Sequence, residues 1–99
     1  MRINVVAALI KDKNKIFVAR RASGNLVGYW EFPGGKIEGN ETQNQAIVRE
    51  IDEEFGIIVK PIKSVQKYRY QYDFGIVQLE LIECEINSKN QPTLSDGSR

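Results

Sequence analysis

From Ile3 to Ile10 nearly every residue is apolar on both of its alternating faces. A strand of that composition lies inside a sheet and needs cover above and below. In a chain of 99 residues this requirement decides much of the architecture, because a domain so short buries only about two thirds of its unfolded surface. A single domain over residues 1–99 is expected. Asp12-Lys13-Asn14 is a turn cluster, and Lys15 to Arg21 reads as the second strand of a hairpin that delivers Arg20 and Arg21 at its end.

Ala22 to Asn25 is loop chemistry, Gly28 to Phe32 is a short aromatic segment, and Pro33-Gly34-Gly35 is expected to break it and open a polar loop to Glu41. Thr42 can then cap a helix that Gly56 stops, with Ala46, Ile47, Ile51 and Phe55 as its apolar stripe. Ile57 to Ile62, Val65 to Phe74 and Ile76 to Ile86 are strand-like, the last two forming a hairpin around Asp73-Phe74-Gly75. Residues 87–99 are polar and unpatterned and read as a loop or tail. The fold class is α/β in the α+β sense, a mixed β-sheet with one long helix packed on it.

Composition narrows the chemistry. With no histidine, Ser-His-Asp triads, Cys-His pairs and His-containing zinc sites are excluded. The single cysteine, Cys84, cannot form an internal disulfide, which fits a reducing cytoplasm; between Glu83 and Glu85 it shares a strand face with Ile82 and Ile86 and reads as a core filler. A net charge of +1 gives no field to hold a nucleic acid polymer or an anionic membrane. The apolar stretch near the N-terminus is too short to span a bilayer.

Glu50, Glu53 and Glu54 stand at i, i+3 and i+4, so three carboxylates leave one side of the helix. Like charges at that spacing repel, and Asp52 adds to the acid density. Arg49 offsets part of this, but as the immediate neighbour of Glu50 it is expected to point elsewhere. Hard oxygen ligands without His or Cys suit Mg²⁺ or Mn²⁺, which keep several waters and share substrate phosphates. The competing reading is a solvated acidic helix face.

The segment GKIEGNETQNQAIVREIDEEFGI resembles the Nudix box, G-x5-E-x7-R-E-U-x-E-E-x-G-U with U aliphatic. It matches at Gly35, Glu41, Arg49, Glu50, Ile51, Glu53, Glu54, Gly56 and Ile57. A chance match at one position is on the order of one in ten billion, which sets the solvated-face reading aside. NVVAALI, IFVARR, WEFPGGKIE and VQLELIECEI likewise look like segments of MutT-type nucleoside triphosphate pyrophosphohydrolases, so the likeness covers nearly the whole chain.

What the resemblance implies is a Nudix-type mixed sheet bearing the box helix, and a site where a divalent cation binds and water attacks a phosphorus of a nucleoside diphosphate-linked compound. A triphosphate yields nucleoside monophosphate and pyrophosphate. Carried over residue by residue, Glu50, Glu53 and Glu54 resemble the metal ligands with the Gly34 carbonyl, Glu53 is also placed to activate water, and Arg49 and Glu41 resemble an orienting ion pair. Arg20, Arg21 and Lys36 are candidates for phosphate contact, since guanidinium groups grip phosphate as a fork and lysine as a point charge. Trp30, Tyr68, Tyr70, Tyr72 and Phe74 either stack a base or simply pack.

The expected substrate is a nucleoside triphosphate, with oxidised forms such as 8-oxo-dGTP among the candidates. Dinucleoside polyphosphates and ADP-ribose stay open, although the stretch Tyr70 to Phe74 lacks the proline frequent in ADP-ribose-cleaving relatives. A reading of another class is a truncated, non-catalytic nucleotide- or partner-binding module, because relatives continue past the point matching Arg99 with a further strand and a C-terminal helix. Asp96 falls near a loop acid of some relatives. With one helix for two sheet faces, self-association through the uncovered face is a further expectation.

Overall fold

The doubly apolar run near the N-terminus becomes β1 (Arg2–Asp12), and its position follows from what pairs with it. The computed structural model describes residues 1–20 and 30–86. One edge of β1 is taken along its length by β7 (Gly75–Ile86), in parallel from Arg2↔Ile76 to Lys11↔Glu85. The other edge is shared end to end by two short antiparallel strands, β2 (Lys15–Phe17) near Ile10 to Asp12 and β5 (Gly34–Lys36) near Val5 to Ala7. β6 (Val59–Tyr72) closes the mixed sheet as the antiparallel neighbour of β7. A separate ribbon pairs β3 (Ala19–Arg20) with β4 (Trp30–Glu31).

Three sequence expectations are corrected. The strand expected from Lys15 to Arg21 is broken at Val18, and its second part leaves the sheet to pair with β4. Pro33-Gly34-Gly35 does not end regular structure: Gly34 to Lys36 pair with β1, at an approach so close that a Cβ on Gly34 would overlap the Val6 carbonyl. The strands expected as Ile57–Ile62 and Val65–Phe74 are one strand, β6, with register shifts between Pro61 and Lys63 and between Ser64 and Gln66. Pro61, which has no N–H for a ladder, is tolerated because β6 is an edge strand.

The helix α1 (Gln43–Phe55) has the expected caps. Thr42 Oγ1 accepts from the Gln45 N–H at 3.1 Å, and the Gln45 side chain accepts from the Thr42 N–H at 2.9 Å. Together these satisfy two of the orphan donors of the first turn. Gly56 ends the helix in the left-handed region at φ 68°, its N–H donating to the Asp52 carbonyl.

Ala46, Ile47 and Ile51 of α1 are fully buried against Val6, Ala8 and Ile10 of β1 and Ile82 and Cys84 of β7. Ile57 and Val59 complete that core, and Phe17 meets Phe55 edge-on at 5.1 Å to seal one end. Cys84 is thus the core filler its neighbours suggested. On the opposite face the register aligns Val5 with Leu79 and Leu79 with Tyr68, then Val77 with Tyr70. There Tyr68, Tyr70, Tyr72 and Phe74 form a ladder with successive ring centroids 6.3, 6.5 and 5.2 Å apart. Among the described residues no helix covers this face, and the four rings are exposed.

Candidate active site

Capping α1 at Thr42 fixes where its polar side lies, and Arg49 is the centre of what that side holds. Its Nε donates to Glu41 Oε2 at 2.6 Å and its Nη2 to Glu41 Oε1 at 2.9 Å, a two-toothed grip across eight residues. Nη1 donates to Glu50 Oε1 at 2.9 Å and to Glu53 Oε2 at 3.3 Å. Nη2 also reaches the Lys36 carbonyl at 3.1 Å, tying the helix to β5. Arg49 therefore does not point away from the acidic face, as its adjacency to Glu50 suggested. The long stem of Arg49 carries its guanidinium forward along the helix, so that one Nη1 serves both i+1 and i+4.

Glu50 is held from below as well as from the side. Gly35 on β5 faces it, and a Cβ there would come within 2.5 to 2.7 Å of the Glu50 carboxylate group. The missing side chain at Gly35 is the space that Glu50 occupies. The loop before the helix is braced by Glu41, whose Oε1 accepts the Glu38 N–H at 2.9 Å. The Arg49 hydrogen bonds, then the Glu38 N–H, hold the Glu41 carboxyl below the usual carboxylate range. Reciprocally, Glu41 and then Glu50 push the Arg49 guanidinium further up.

Among the expected site residues, Glu41, Arg49, Glu50 and Glu53 are brought into one network. Glu54 follows Glu53 on the exposed side of the helix, and Gly34 lies beside Gly35 on β5. Lys36 is exposed, and the contact it makes with the network is through its carbonyl. Arg20 belongs to β3, while Arg21 and Asp96 lie outside the described residues. Glu38, which sequence reasoning did not single out, lies 3.8 Å from Arg49 Nη1. Its spacing of three from Glu41 was the available signal. Among the described residues no three acidic groups converge tightly enough to enclose an ion, because Arg49 stands between Glu50 and Glu53.

A mixed sheet carrying a capped helix, with carboxylates gathered on one arginine beside a glycine strand, presents hard oxygen donors at a helix–strand junction. The sequence matches the NUDIX domain over residues 1–96, and the chain belongs to the Nudix family. It is 48% identical over 99 residues to the 8-oxo-dGTP diphosphatase of Proteus vulgaris, an alignment covering 98% of this chain and 88% of that protein. It is 54% identical over 78 residues to the CTP pyrophosphohydrolase of Escherichia coli K12, covering 78% of this chain but 58% of that one. Of solved structures, the solution structure of the MutT Nudix protein from methicillin-resistant Staphylococcus aureus 252 superposes with a TM-score of 0.73 at 42% identity, covering 98% of this chain and 75% of that one.

Proposed function

We propose that this Nudix hydrolase cleaves nucleoside triphosphates to nucleoside monophosphate and pyrophosphate in a Mg²⁺- or Mn²⁺-dependent reaction. The observation that carries this reading is the Arg49 fork, which gathers Glu41, Glu50 and Glu53 into one network with Glu50 seated against Gly35 of β5. The relatives named for 8-oxo-dGTP and CTP support a triphosphate over ADP-ribose and make oxidised purine nucleotides the first substrates to try.

The donor set fits a hard divalent cation, since Glu50, Glu53 and Glu54 offer only carboxylate oxygens and the Gly35 gap leaves Glu50 room beside the backbone. Glu50, Glu53 and Glu54, with the Gly34 carbonyl, would hold it. When bound, such a cation neutralises phosphate charge and orients an in-line displacement. Arg49 keeps the carboxylates apart and aimed in the meantime. Glu53, whose side chain is 61% exposed and is aimed by a 3.3 Å hydrogen bond from Arg49 Nη1 to one of its two oxygens, would take the proton of the attacking water on its other oxygen. Arg20, Arg21 and Lys36 are assigned to the phosphate chain on charge alone.

The test is a substrate panel with Mg²⁺ comparing 8-oxo-dGTP, CTP, the ordinary dNTPs, ADP-ribose and a dinucleoside tetraphosphate for release of pyrophosphate or monophosphate. Triphosphate turnover well above ADP-ribose turnover is expected. Turnover of none of them would favour a nucleotide-binding module without chemistry.

A further inference from the structure

Past the N-terminal end of α1 a cavity of about 450 Å³ opens on the helix-bearing face of the sheet. Its floor is strand backbone at Val5, Leu79 and Tyr68, residues whose side chains go to the other face. The register places Asn4 beside Gln78 and Gln78 beside Arg69, so amide, amide and guanidinium form one row across three strands. Glu80 and Lys67 form the next row toward the helix, and Gln43 overhangs from its first turn. None of these six side chains makes a hydrogen bond or ion pair with another described residue.

That row is unusual in its setting. Positions 6, 8 and 10, which continue the same face of β1, are fully buried apolar residues, yet the row at Asn4 is polar on all three strands. Two cations stand against one unmatched carboxylate, because the charge of Glu41 on the cavity wall is already taken up by Arg49. A phosphate suits Lys67 and the Arg69 fork. Paired amide side chains present donors and acceptors together, the chemistry that reads the edge of a nucleobase. The volume lies within the range of small-ligand sites, about 300–1,000 Å³.

We propose that this cavity is a second nucleotide site, taking a nucleoside monophosphate with its phosphate on Lys67 and Arg69 and its base edge on Asn4 and Gln78. Its described lining includes none of the carboxylates of α1; among those residues Glu41 alone belongs to the Arg49 network. The choice of a nucleotide as ligand rests on the hydrolase reading above; the cavity and its donors do not.

The experiment is binding of AMP, CMP, GMP and inorganic phosphate to the full chain without divalent cation, followed by NMR on the side-chain amides of Asn4 and Gln78. Those amides are expected to shift with at least one monophosphate. The double variant Lys67→Gln/Arg69→Gln should bind that nucleotide at least about tenfold more weakly, the loss of charge-assisted hydrogen bonds. Unchanged affinity in the double variant, shifts confined to other residues, or phosphate binding as tightly as the nucleotides would each overturn the proposal. Glu53→Gln, measured alongside, should retain this binding while losing turnover. Retained turnover there would count against the cleavage assignment and leave the binding result standing.

Discussion

Arg49 grips Glu41 with both Nε and Nη2, at 2.6 and 2.9 Å, across the turn that joins the β5 loop to α1. A planar fork on a carboxylate is a geometry that an ammonium cannot reproduce. Arg49→Lys is therefore expected to keep the charge and the fold but release Glu50 and Glu53 from a common anchor. The result should be a fall in kcat of about tenfold or more with little change in Tm. Steady-state kinetics with thermal denaturation of the same preparation checks it.

The same pair predicts a pH response. Because the Glu41 carboxyl is held below its ordinary range in the folded chain, the unfolded chain takes up a proton there first as pH falls. The bridge then contributes stability above the unfolded carboxylate pKa, about 4.3, and loses it as pH falls through the lower folded value. Glu41→Gln should lower Tm relative to the parent at pH 7, and the two melting curves should converge in strong acid.

Glu53→Gln removes an exposed carboxylate of the network without touching the core. Turnover should fall by about two orders of magnitude or more, as expected for a lost metal-organising or basic carboxylate, while circular dichroism and Tm stay near the parent values. Hydrolysis at the parental rate would contradict the assignment of Glu53.

Much of this was legible in the chain itself. Thr42 and Gly56 announce both helix ends because caps are local chemistry, and the run from Ile3 to Ile10, apolar on both faces, announces an inner strand. The reach of Arg49 was not legible, since adjacency in sequence says little about where a long flexible stem delivers a guanidinium. Nor was β5, because Gly34 and Gly35 carry no side-chain pattern and their pairing depends on Val6 and Ala7, far earlier in the chain. The Asn4, Gln78 and Arg69 row escaped notice for a similar reason: its members come from three strands, and only the register aligns them.

Neighbouring glycines on β5 should answer alanine differently. A Cβ on Gly34 meets the Val6 backbone, which cannot step aside without opening the β1–β5 ladder, so Gly34→Ala should cost about 1–3 kcal/mol of stability. On Gly35 the obstacle is the Glu50 carboxylate, the end of a flexible side chain. Gly35→Ala should unfold near the parental denaturant concentration but lose activity, because Glu50 must leave its place. Urea titrations and kinetics on both variants separate the two effects, and equal stability losses would refute the distinction.

Cys84 is fully buried between α1 and the sheet, and burial, with Glu83 as a lesser cause, pushes its thiol up to about 12. Only the thiolate reacts quickly. Native protein at pH 8 should therefore resist alkylation, and the rate should rise to that of a free thiol in denaturing urea. The raised pKa also has a thermodynamic consequence. Below the unfolded thiol's pKa, about 8.5, both states are protonated and the group has no effect on the pH dependence. As pH climbs from there toward the folded value, the unfolded chain ionises first and is favoured, so stability falls. Replacing Cys84 with alanine costs packing at neutral pH, but the stability gap between parent and Cys84→Ala should narrow between pH 8 and pH 10 as the parent alone feels the ionisation. Urea midpoints of both proteins at those two pH values measure it, and a constant gap would show that the thiolate is as well tolerated folded as unfolded.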